Sequence, residues 1–220
     1  MAADAGARGE ELNEGRRHLG ALILAAGAST RLGQPKQMVR WNGETLVERA
    51  VRIAREAGAE TVLVVLGAHH EQIFPILQPY QPELRILLNQ RWAEGMGTSI
   101  ALGAAVAERH SVDDLLVLTC DQVAVTAQHL RDLVAASHRE HVVASTYAGR
   151  RGVPALFPEF SFHALQRLSG DRGARDLLQH EDVVHLPLPG GELDIDTPED
   201  LEQLTAPGVS EPDTRAILGP

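Results

Sequence analysis

The chain has 220 residues and a formal net charge of −10, from 20 basic and 30 acidic side chains. This balance argues against a nucleic-acid or anionic-membrane surface, so a phosphate site would have to be a local basic pocket on an acidic body. The single cysteine, Cys120, excludes a disulfide framework. With no apolar run near the roughly 20 residues of a membrane span, and no signal-peptide segment, it indicates a cytoplasmic protein.

Apolar runs that suit buried strands alternate with amphipathic stretches along most of the chain. The predicted strands lie at residues 20–25, 61–66, 84–88, 115–119 and 141–146. The predicted helices lie at residues 46–57, 71–77, 100–109 and around 130–134. Thr45 and Glu48 have the spacing of a capping box before the first of these helices. The β-α-β-α order predicts a single three-layer α/β domain, with a mostly parallel, Rossmann-like sheet and helices on both faces.

The pattern changes near residue 149 and is lost at both ends of the chain. Residues 1–18 predict a disordered leader and residues 206–220 a loose tail, so the domain spans residues 19–205. After residue 149 the sequence predicts a turn-rich segment with a brief strand, a helix at 164–168, a helix capped by Asp171, a strand at 183–186 and a last helix capped by Thr197.

The first strand leads into a loop of small and polar residues that contains Gly27, Arg31 and Lys36. Lys36 is the only lysine among the 20 basic residues, and the alternative interpretation of its position is chance. The backbone N–H groups of such a loop can face an anion, with Arg31 and Lys36 as charge partners. The loop is neither a Walker A sequence nor a Gly-x-Gly-x-x-Gly sequence, so it predicts a phosphate site of another kind.

Gly27, Asn89 and Asp121 each follow the end of a predicted strand. Because ligands bind at the carboxyl ends of parallel strands, we expect these residues to converge. Asp121 and Asp196 offer hard oxygen ligands, and Mg²⁺ binds through one or two carboxylates plus substrate phosphates. The alternatives are an ordinary polar strand end for Asp121 and a helix-start carboxylate for Asp196. Together with the basic loop, the two aspartates predict a nucleoside-triphosphate site.

The segment Leu24-Ala-Ala-Gly-x-Ser-x-Arg-x-Gly-x-x-Lys36 resembles the signature of the MobA-like nucleotidyltransferases. Further matching segments are Asn89 with Glu94-Gly-Met-Gly-x-Ser99, Leu118-x-Cys-Asp-Gln122, Gly152-x-Pro-x-Leu-Phe157, Gly170-Asp-x-Gly-Ala-Arg175 and Asp194-Ile-Asp-Thr-Pro-Glu-Asp200. The resemblance covers about residues 20–205 and is closest to the molybdenum cofactor cytidylyltransferase branch, because the first loop has the Ala-Ala-Gly form. Val123 departs from the proline that is common in that branch.

The resemblance implies Mg²⁺-dependent transfer of CMP from CTP to the phosphate of a molybdopterin-type cofactor, with release of pyrophosphate. It implies a nucleotide half of about residues 19–148 and an acceptor half of about 149–205. Arg31 and Lys36 would be the catalytic cations, and Asp121 and Asp196 would hold Mg²⁺ or Mn²⁺. The residues that it places at the nucleotide are Leu24, Ala25, Ala26, Gly27, Asn89 and Ser99. The residues that it places at the acceptor are Gly152, Pro154, Asp171 and Arg175.

The implied partners are a nucleoside triphosphate, with CTP favoured, a phosphorylated pterin-type acceptor, and a molybdenum enzyme that receives the product. A monomer without nucleic-acid or membrane contacts is expected. The alternatives are a nucleotidyltransferase that uses GTP or another phosphorylated acceptor, and a non-catalytic chaperone that holds a nucleotide or pterin for a molybdenum enzyme. His69 and His70 are interpreted as surface histidines and Cys120 as a core residue. Arg150 and Arg151 are interpreted as a polar loop, with the acceptor pocket as the alternative, and Trp41 and Trp92 as partly buried core, with stacking on a pterin or base as the alternative.

Overall fold

The computed structural model describes residues 17–138, 140–180 and 182–205. Its strands are β1 (Leu19–Ala25), β2 (Arg40–Trp41), β3 (Glu44–Thr45), β4 (Thr61–Leu66), β5 (Leu84–Leu88), β6 (Asp114–Thr119), β7 (Val143–Tyr147), β8 (Arg150–Pro158) and β9 (Val184–Pro187). Its helices are α1 (Leu46–Glu56), α2 (His70–Leu77), α3 (Met96–Arg109), α4 (Ala127–Ala136), α5 (Phe162–Gln166), α6 (Arg175–Leu178) and α7 (Pro198–Thr205). The predicted tail and all but two residues of the predicted leader lie outside the described residues.

Seven strands form one sheet in the order β5-β4-β1-β6-β8-β7-β9, and β2 pairs with β3 in a separate hairpin. All neighbouring pairs in the large sheet are parallel except those of β8, which runs antiparallel to β6 and β7. The predicted mostly parallel sheet is therefore confirmed. In the described residues, no helix has both the length and the apolar character needed to cross a membrane.

The sheet is covered on both faces, as the alternation of β1 requires. All seven residues of β1 are buried, and successive side chains enter two different apolar clusters. Ala21 and Ile23 pack in the cluster that includes residues of α1, α2 and α4. Leu22 and Leu24 pack in the cluster that includes residues of α3 and α5. Because strand side chains alternate between faces, a strand buried on both sides has apolar residues throughout, and the three-layer prediction is confirmed.

The capping box that begins α1 is present. The Glu48 backbone N–H donates to Thr45 Oγ1 over 3.3 Å, and the Thr45 backbone N–H donates to Glu48 Oε2 over 2.9 Å. We expect Thr45→Ala to lower the free energy of unfolding by about 1 kcal/mol, because it leaves an N-terminal helix N–H without an acceptor. Urea denaturation measures this loss. Glu48→Gln should cost less, since an amide oxygen still accepts from Thr45, and an unchanged midpoint for Thr45→Ala would contradict the prediction.

Helix α3 begins four residues earlier than the sequence pattern predicts. Gly95 and Gly97 argue against a helix on propensity, but both are needed for a close backbone approach. Gly95 has a φ of 113°, and a Cβ there would lie 2.4 Å from Gly170 O. A Cβ on Gly97 would lie within 2.8 Å of the Ser169 backbone, and the Gly97 N–H donates to Gly170 O over 2.9 Å. The tertiary contact therefore decides where the helix begins.

Three other expectations need correction. Strand β8 has nine residues rather than a few, because the turn before it is confined to Ala148 and Gly149, which both have positive φ. Asp171 does not cap a helix, since α6 follows Ala174 without any side-chain cap. Arg17 and His18, assigned to the leader, are ordered against the loop before β6: the backbone N–H of His18 donates 2.7 Å to Asp113 Oδ2, and Arg17 donates to the Asp113 carbonyl over 2.7 Å.

Candidate active site

The site lies at the carboxyl ends of β1, β4, β5 and β6, where the sequence analysis expected it. The first loop follows β1, and Asp121 stands two residues beyond the end of β6. The segment before α7 runs beside this strand end: the Ile195 N–H donates to Asp121 O over 3.3 Å, and Gln122 Nε2 donates to Gly191 O over 3.1 Å. These bonds bring Asp196 next to Asp121, although 75 residues separate them in sequence.

Two cations and two carboxylates form one ion-pair network in the site. Lys36 Nζ donates to Asp121 Oδ2 and, over 3.0 Å, to Asp196 Oδ1. Arg31 Nη2 donates to the other Asp196 oxygen over 2.6 Å. The side chains of Asp121 and Lys36 are 8% and 19% exposed, whereas that of Arg31 is 71% exposed. All four residues predicted as catalytic or metal-binding therefore meet, with Lys36 at the protected centre and Arg31 at the open edge.

The Lys36 side chain stays charged at physiological pH. Burial on its own lowers the pKa of an ammonium, but the charge of Asp121 and the hydrogen bonds to Asp121 and Asp196 outweigh it, so the pKa is raised above its usual range. The Lys36 backbone N–H donates to Ser29 Oγ over 3.1 Å, which ties the lysine to the first loop. The site therefore contains a charged ammonium group whose backbone is hydrogen-bonded to the first loop.

Asp194 is a third carboxylate that the sequence analysis did not single out. Its pKa is raised to about 7, first by burial and then by the charges of Asp121 and Asp196. Its Oδ1 is buried without a hydrogen-bond partner. The only sequence signal was the Asp-x-Asp spacing with Asp196, which does not show that both aspartates face the same strand end.

The donor set fits a divalent cation. Asp121 and Asp196 offer hard carboxylate oxygens that Lys36 and Arg31 hold close together, and Asp194 lies near them with a pKa raised first by burial and then by their charges. No group of three possible ligands has the arrangement of a closed metal site in the described part of the chain. Mg²⁺ does not need one, because it commonly takes one or two carboxylates plus substrate phosphates.

A cavity of about 370 Å³ extends from Lys36 towards β1 and α3. Of the residues predicted at the nucleotide, it is lined by Leu24, Ala26, Gly27 and Ser99. A Cβ on Gly27 would have no protein atom within 4 Å, so the loop leaves room there for a ligand. We refer to this space as the nucleotide cavity. Trp92, interpreted as partial core, instead lines it with 36% of its surface exposed.

Ala25 and Asn89 do not line the nucleotide cavity but support residues that do. Ala25 is buried, and its carbonyl accepts from Gln37. Asn89 is buried, and its Nδ2 donates to Ser99 Oγ over 2.9 Å. Because this bond uses Ser99 as an acceptor, the Ser99 hydroxyl proton can be donated into the cavity. Asn89 therefore acts on a ligand only through Ser99.

A second cavity of about 370 Å³ lies on the other side of Lys36 and Asp121, which line both. Of the residues predicted at the acceptor, Gly152, Asp171 and Arg175 line it. Pro154 does not: it is buried in β8, where its carbonyl accepts from Ser145 Oγ over 2.7 Å. We refer to this space as the acceptor cavity, and it adjoins the nucleotide cavity at Lys36 and Asp121.

Arg150 and Arg151 also line the acceptor cavity, so their interpretation as a polar loop is wrong. They lie on β8, whose insertion beside β7 carries them to the site. Arg151 Nη1 donates to His180 O over 2.8 Å, and Arg150 lies 5.4 Å from the centroid of the Tyr147 ring. Neither contact neutralises a guanidinium charge. With six basic and four acidic side chains in its lining, the acceptor cavity is net basic on an acidic protein.

Cys120 and Trp41 lie in the core, as predicted. At Val123, where the resembled branch commonly has a proline, the loop is held by Arg49. Cys120 is buried, and burial raises the pKa of its thiol to about 12, as for an inert core residue. Trp41 is buried against Arg49. Arg49 also donates to the carbonyls of Val123 and Val125 over 3.0 and 2.7 Å, so it holds the loop after Asp121 where the branch commonly has a proline.

Residues 21–185 match the model of the MobA-like NTP transferase domain, which is most of the chain. The chain belongs to the MobA-like NTP transferase family. The match confirms the resemblance stated from the motifs at the level of the family.

Relatives and solved structures agree on the family and differ in their names. The chain is 32% identical over 193 residues to the purine catabolism protein PucB of Bacillus subtilis, and 31% identical over 198 residues to nicotine blue oxidoreductase of Paenarthrobacter nicotinovorans. Each match covers 83% of this chain and 94% of the relative. A probable molybdenum cofactor guanylyltransferase of Opitutus terrae is 30% identical over 141 residues, covering 64% of this chain and 66% of that protein.

Two solved structures of mycobacterial proteins have a similar fold. The Rv0371c homologue from Mycobacterium sp. strain JC1 superposes with a TM-score of 0.73 at 25% identity, covering 86% of this chain and 96% of that one. Rv0371c of Mycobacterium tuberculosis, solved in complex with manganese, superposes with a TM-score of 0.67 at 22% identity, covering 85% of this chain and 97% of that one. The second likeness supports the fold alone.

Proposed function

We propose that this protein transfers CMP from CTP to the phosphate of a molybdopterin-type cofactor and releases pyrophosphate. The observation that carries the proposal is the position of Lys36 and Asp121, which line both cavities at the place where these adjoin. A triphosphate in the nucleotide cavity and a phosphorylated acceptor in the basic cavity would meet at these two residues. The proposal places the activity in the cytoplasm, and the product would pass to a molybdenum enzyme.

The chemistry needs charge and alignment more than a proton acceptor. An oxygen of the acceptor phosphate attacks the α-phosphorus of CTP, and the bond from that phosphorus to the pyrophosphate oxygen breaks. A phosphate monoester has its second pKa near 6, so the nucleophile is largely ionised at neutral pH and needs no general base. Lys36 would neutralise charge on the transferred phosphate, and Arg31 would contact the leaving phosphates. Mg²⁺, held by Asp121 and Asp196, would supply further neutralisation when bound.

The cytidine preference rests on the Ala-Ala-Gly form of the first loop, and the acceptor on the motifs after residue 149. A relative named as a guanylyltransferase makes GTP the main competing donor. Another phosphorylated acceptor is the main competing substrate. Asp121, Asp196 and Lys36 together favour turnover over a chaperone that only binds, since a passive binder does not need a cation between paired carboxylates.

Arg175→Ala is expected to raise the acceptor KM about fivefold to tenfold and to leave the CTP KM unchanged. Arg175 lines the acceptor cavity, and no carboxylate pairs with its guanidinium among the described contacts. Steady-state kinetics with each substrate varied in turn measure the split. Arg167→Ala is the matched control, because Arg167 is exposed on the same half of the chain but outside both cavities. A raised CTP KM with an unchanged acceptor KM would refute the assignment.

Pyrophosphate release tests the proposed function directly. The purified chain is mixed with Mg²⁺, the molybdopterin acceptor, and CTP, GTP or ATP in separate reactions. We expect release with CTP that depends on the acceptor. Release with GTP alone would reassign the donor, and release with a different phosphorylated acceptor would reassign the substrate. Binding of nucleotide and acceptor without release of pyrophosphate would show that the protein is a chaperone that only binds these molecules, not an enzyme.

A further inference from the structure

Four successive carbonyl groups, at the end of β1 and the start of the first loop, accept hydrogen bonds from other parts of the protein. Residues 26–29 have no regular secondary structure, yet four successive carbonyl oxygens, those of residues 25–28, accept hydrogen bonds. Gln37 Nε2 donates to the first over 2.9 Å and to the third over 3.0 Å. The backbone N–H of Ala68 donates to the second over 3.0 Å. His69 Nε2 lies 3.0 Å from the fourth.

These bonds decide which way each peptide of the loop faces. In a planar trans peptide the C=O and the N–H point in opposite directions, so fixing one fixes the other. No helix or strand sets the orientation of residues 26–29, and the side chains of Gln37 and His69 do so instead. Three of these residues, Ala26, Gly27 and Ala28, line the nucleotide cavity. The orientation of the N–H groups that would meet the phosphates is therefore set by the bonds from Gln37, Ala68 and His69.

The side-chain amide of Gln37 donates to two carbonyl oxygens at the start of the first loop, and its own oxygen has no hydrogen-bond partner. Gln37 is fully buried, and its Oε1 has no hydrogen-bond partner. Exchanging the oxygen and nitrogen would place an acceptor against two carbonyl oxygens, so the orientation of the amide is fixed by its contacts. A buried acceptor without a partner is unfavourable, and it is tolerated here where both amide hydrogens serve the loop. Gln37 also follows Lys36 directly, so one short turn carries the cation and holds the loop.

His69 contacts the last of these four carbonyl oxygens, that of Ala28. Its contact with a carbonyl oxygen requires that Nε2 carry the proton, which fixes the tautomer. His69 has a φ of 58°, in the left-handed region that residues other than glycine rarely adopt, and it immediately precedes α2. The interpretation of His69 as a free surface histidine is therefore wrong. Its neighbour His70 makes a comparable contact, 3.1 Å from Nδ1 to Gly67 O, but outside the first loop.

We propose that Gln37 and His69 are positioning residues for the triphosphate, which they serve by orienting the peptides of the first loop. The proposal rests on the proposed function in one respect, that the loop binds phosphates. Neither side chain is assigned a contact with the reacting atoms. Their removal should weaken binding of any magnesium triphosphate, whatever its base, and should leave recognition of the acceptor unchanged.

Calorimetric titration of the full chain with the magnesium salts of tripolyphosphate and of CTP tests the proposal. Gln37→Glu removes both donors at constant shape, and we expect the Kd for both ligands to rise at least about tenfold. His69→Ala is expected to raise both by about threefold to tenfold. His70→Ala is the matched control and should leave both within about twofold. In turnover, Gln37→Glu and His69→Ala should raise the KM for the nucleotide and leave the KM for the acceptor unchanged.

Wild-type affinity in folded Gln37→Glu and His69→Ala would overturn the proposal, as would an equal loss in His70→Ala. If Gln37→Glu does not fold, the comparison of His69→Ala with His70→Ala decides, because both histidines are half-buried and adjacent. Tripolyphosphate has neither a base nor a transferable nucleotide. If the variants lose affinity for tripolyphosphate and the wild-type protein shows no cytidylyl transfer, the positioning role is supported while the proposed function is refuted.

Discussion

Lys36→Ala is expected to lower kcat by about 10²–10³-fold while the protein still folds. Lys36 is a half-buried cation that both cavities share, and a charge about 4 Å from a phosphate oxygen is worth roughly 4 kcal/mol at an effective dielectric near 20. Most of that attraction is useful only when charge builds up on the transferred phosphate, so the loss should appear in kcat more than in the KM for CTP. Pyrophosphate release under saturating substrates measures it.

Two further variants separate the ammonium from positive charge in general. Lys36→Arg keeps the charge but replaces a compact ammonium with a planar guanidinium in a site only 19% exposed, so we expect incomplete rescue. Arg31→Ala should lose less activity than Lys36→Ala, because the Arg31 side chain is 71% exposed and its charge is screened by water. Circular dichroism of each variant checks the fold. Near-wild-type turnover in Lys36→Ala would remove Lys36 from the mechanism.

The centre of the site could be predicted from the sequence because its parts are local. Gly27 and Asp121 follow strand ends, and the parallel-sheet rule alone brings such positions to one edge. Lys36 was conspicuous through composition, as the only lysine. The four-residue pattern from Thr45 to Glu48 predicted the start of α1, and the capping box is present. In each case the physical cause acts within a few residues of the signal.

The parts of the site that were missed depend on non-local packing. Arg150 enters the acceptor cavity because β8 inserts antiparallel between β6 and β7, and no local pattern encodes that pairing. Asp194 reaches Asp121 through the pairing of the segment before α7 with Gln122. Gln37 has no motif of its own, and its importance appears only in the two carbonyls that it contacts. Pro154 shows the reverse error, a motif residue that is buried for structural reasons.

The same non-local contacts explain why both halves of the chain form one site. The start of α3, which carries Ser99 into the nucleotide cavity, packs through Gly95 and Gly97 on the backbone of Ser169 and Gly170. The next residue, Asp171, lines both cavities. The nucleotide motif and the acceptor motif therefore share a backbone contact. A shift of either segment would displace the other, because their backbones are in close contact at both glycines.

Asp121→Asn is expected to lower kcat/KM by about 10³-fold and to raise the Mg²⁺ concentration needed for half-maximal activity. The substitution keeps the shape of the side chain and removes one negative charge from the most protected carboxylate of the network, which is 8% exposed. Asp196→Asn should have a smaller effect, since Asp196 is 30% exposed and also pairs with the exposed Arg31. Titration of activity with Mg²⁺, and then with Mn²⁺, measures both changes.

Asp194→Asn is the control that separates metal binding from charge loss in general. The comparison is made well above the Asp194 pKa of about 7, where that carboxylate carries its full charge and the substitution removes as much charge from the cluster as Asp121→Asn does. Among the described ion pairs Asp194 has none with Lys36 or Arg31. If Asp121 acts as a ligand, the Mg²⁺ requirement should rise in Asp121→Asn and Asp196→Asn and change much less in Asp194→Asn. Equal shifts in all three variants would show that the cluster acts only through its total charge, and the assignment of Asp121 and Asp196 as the metal ligands would fail.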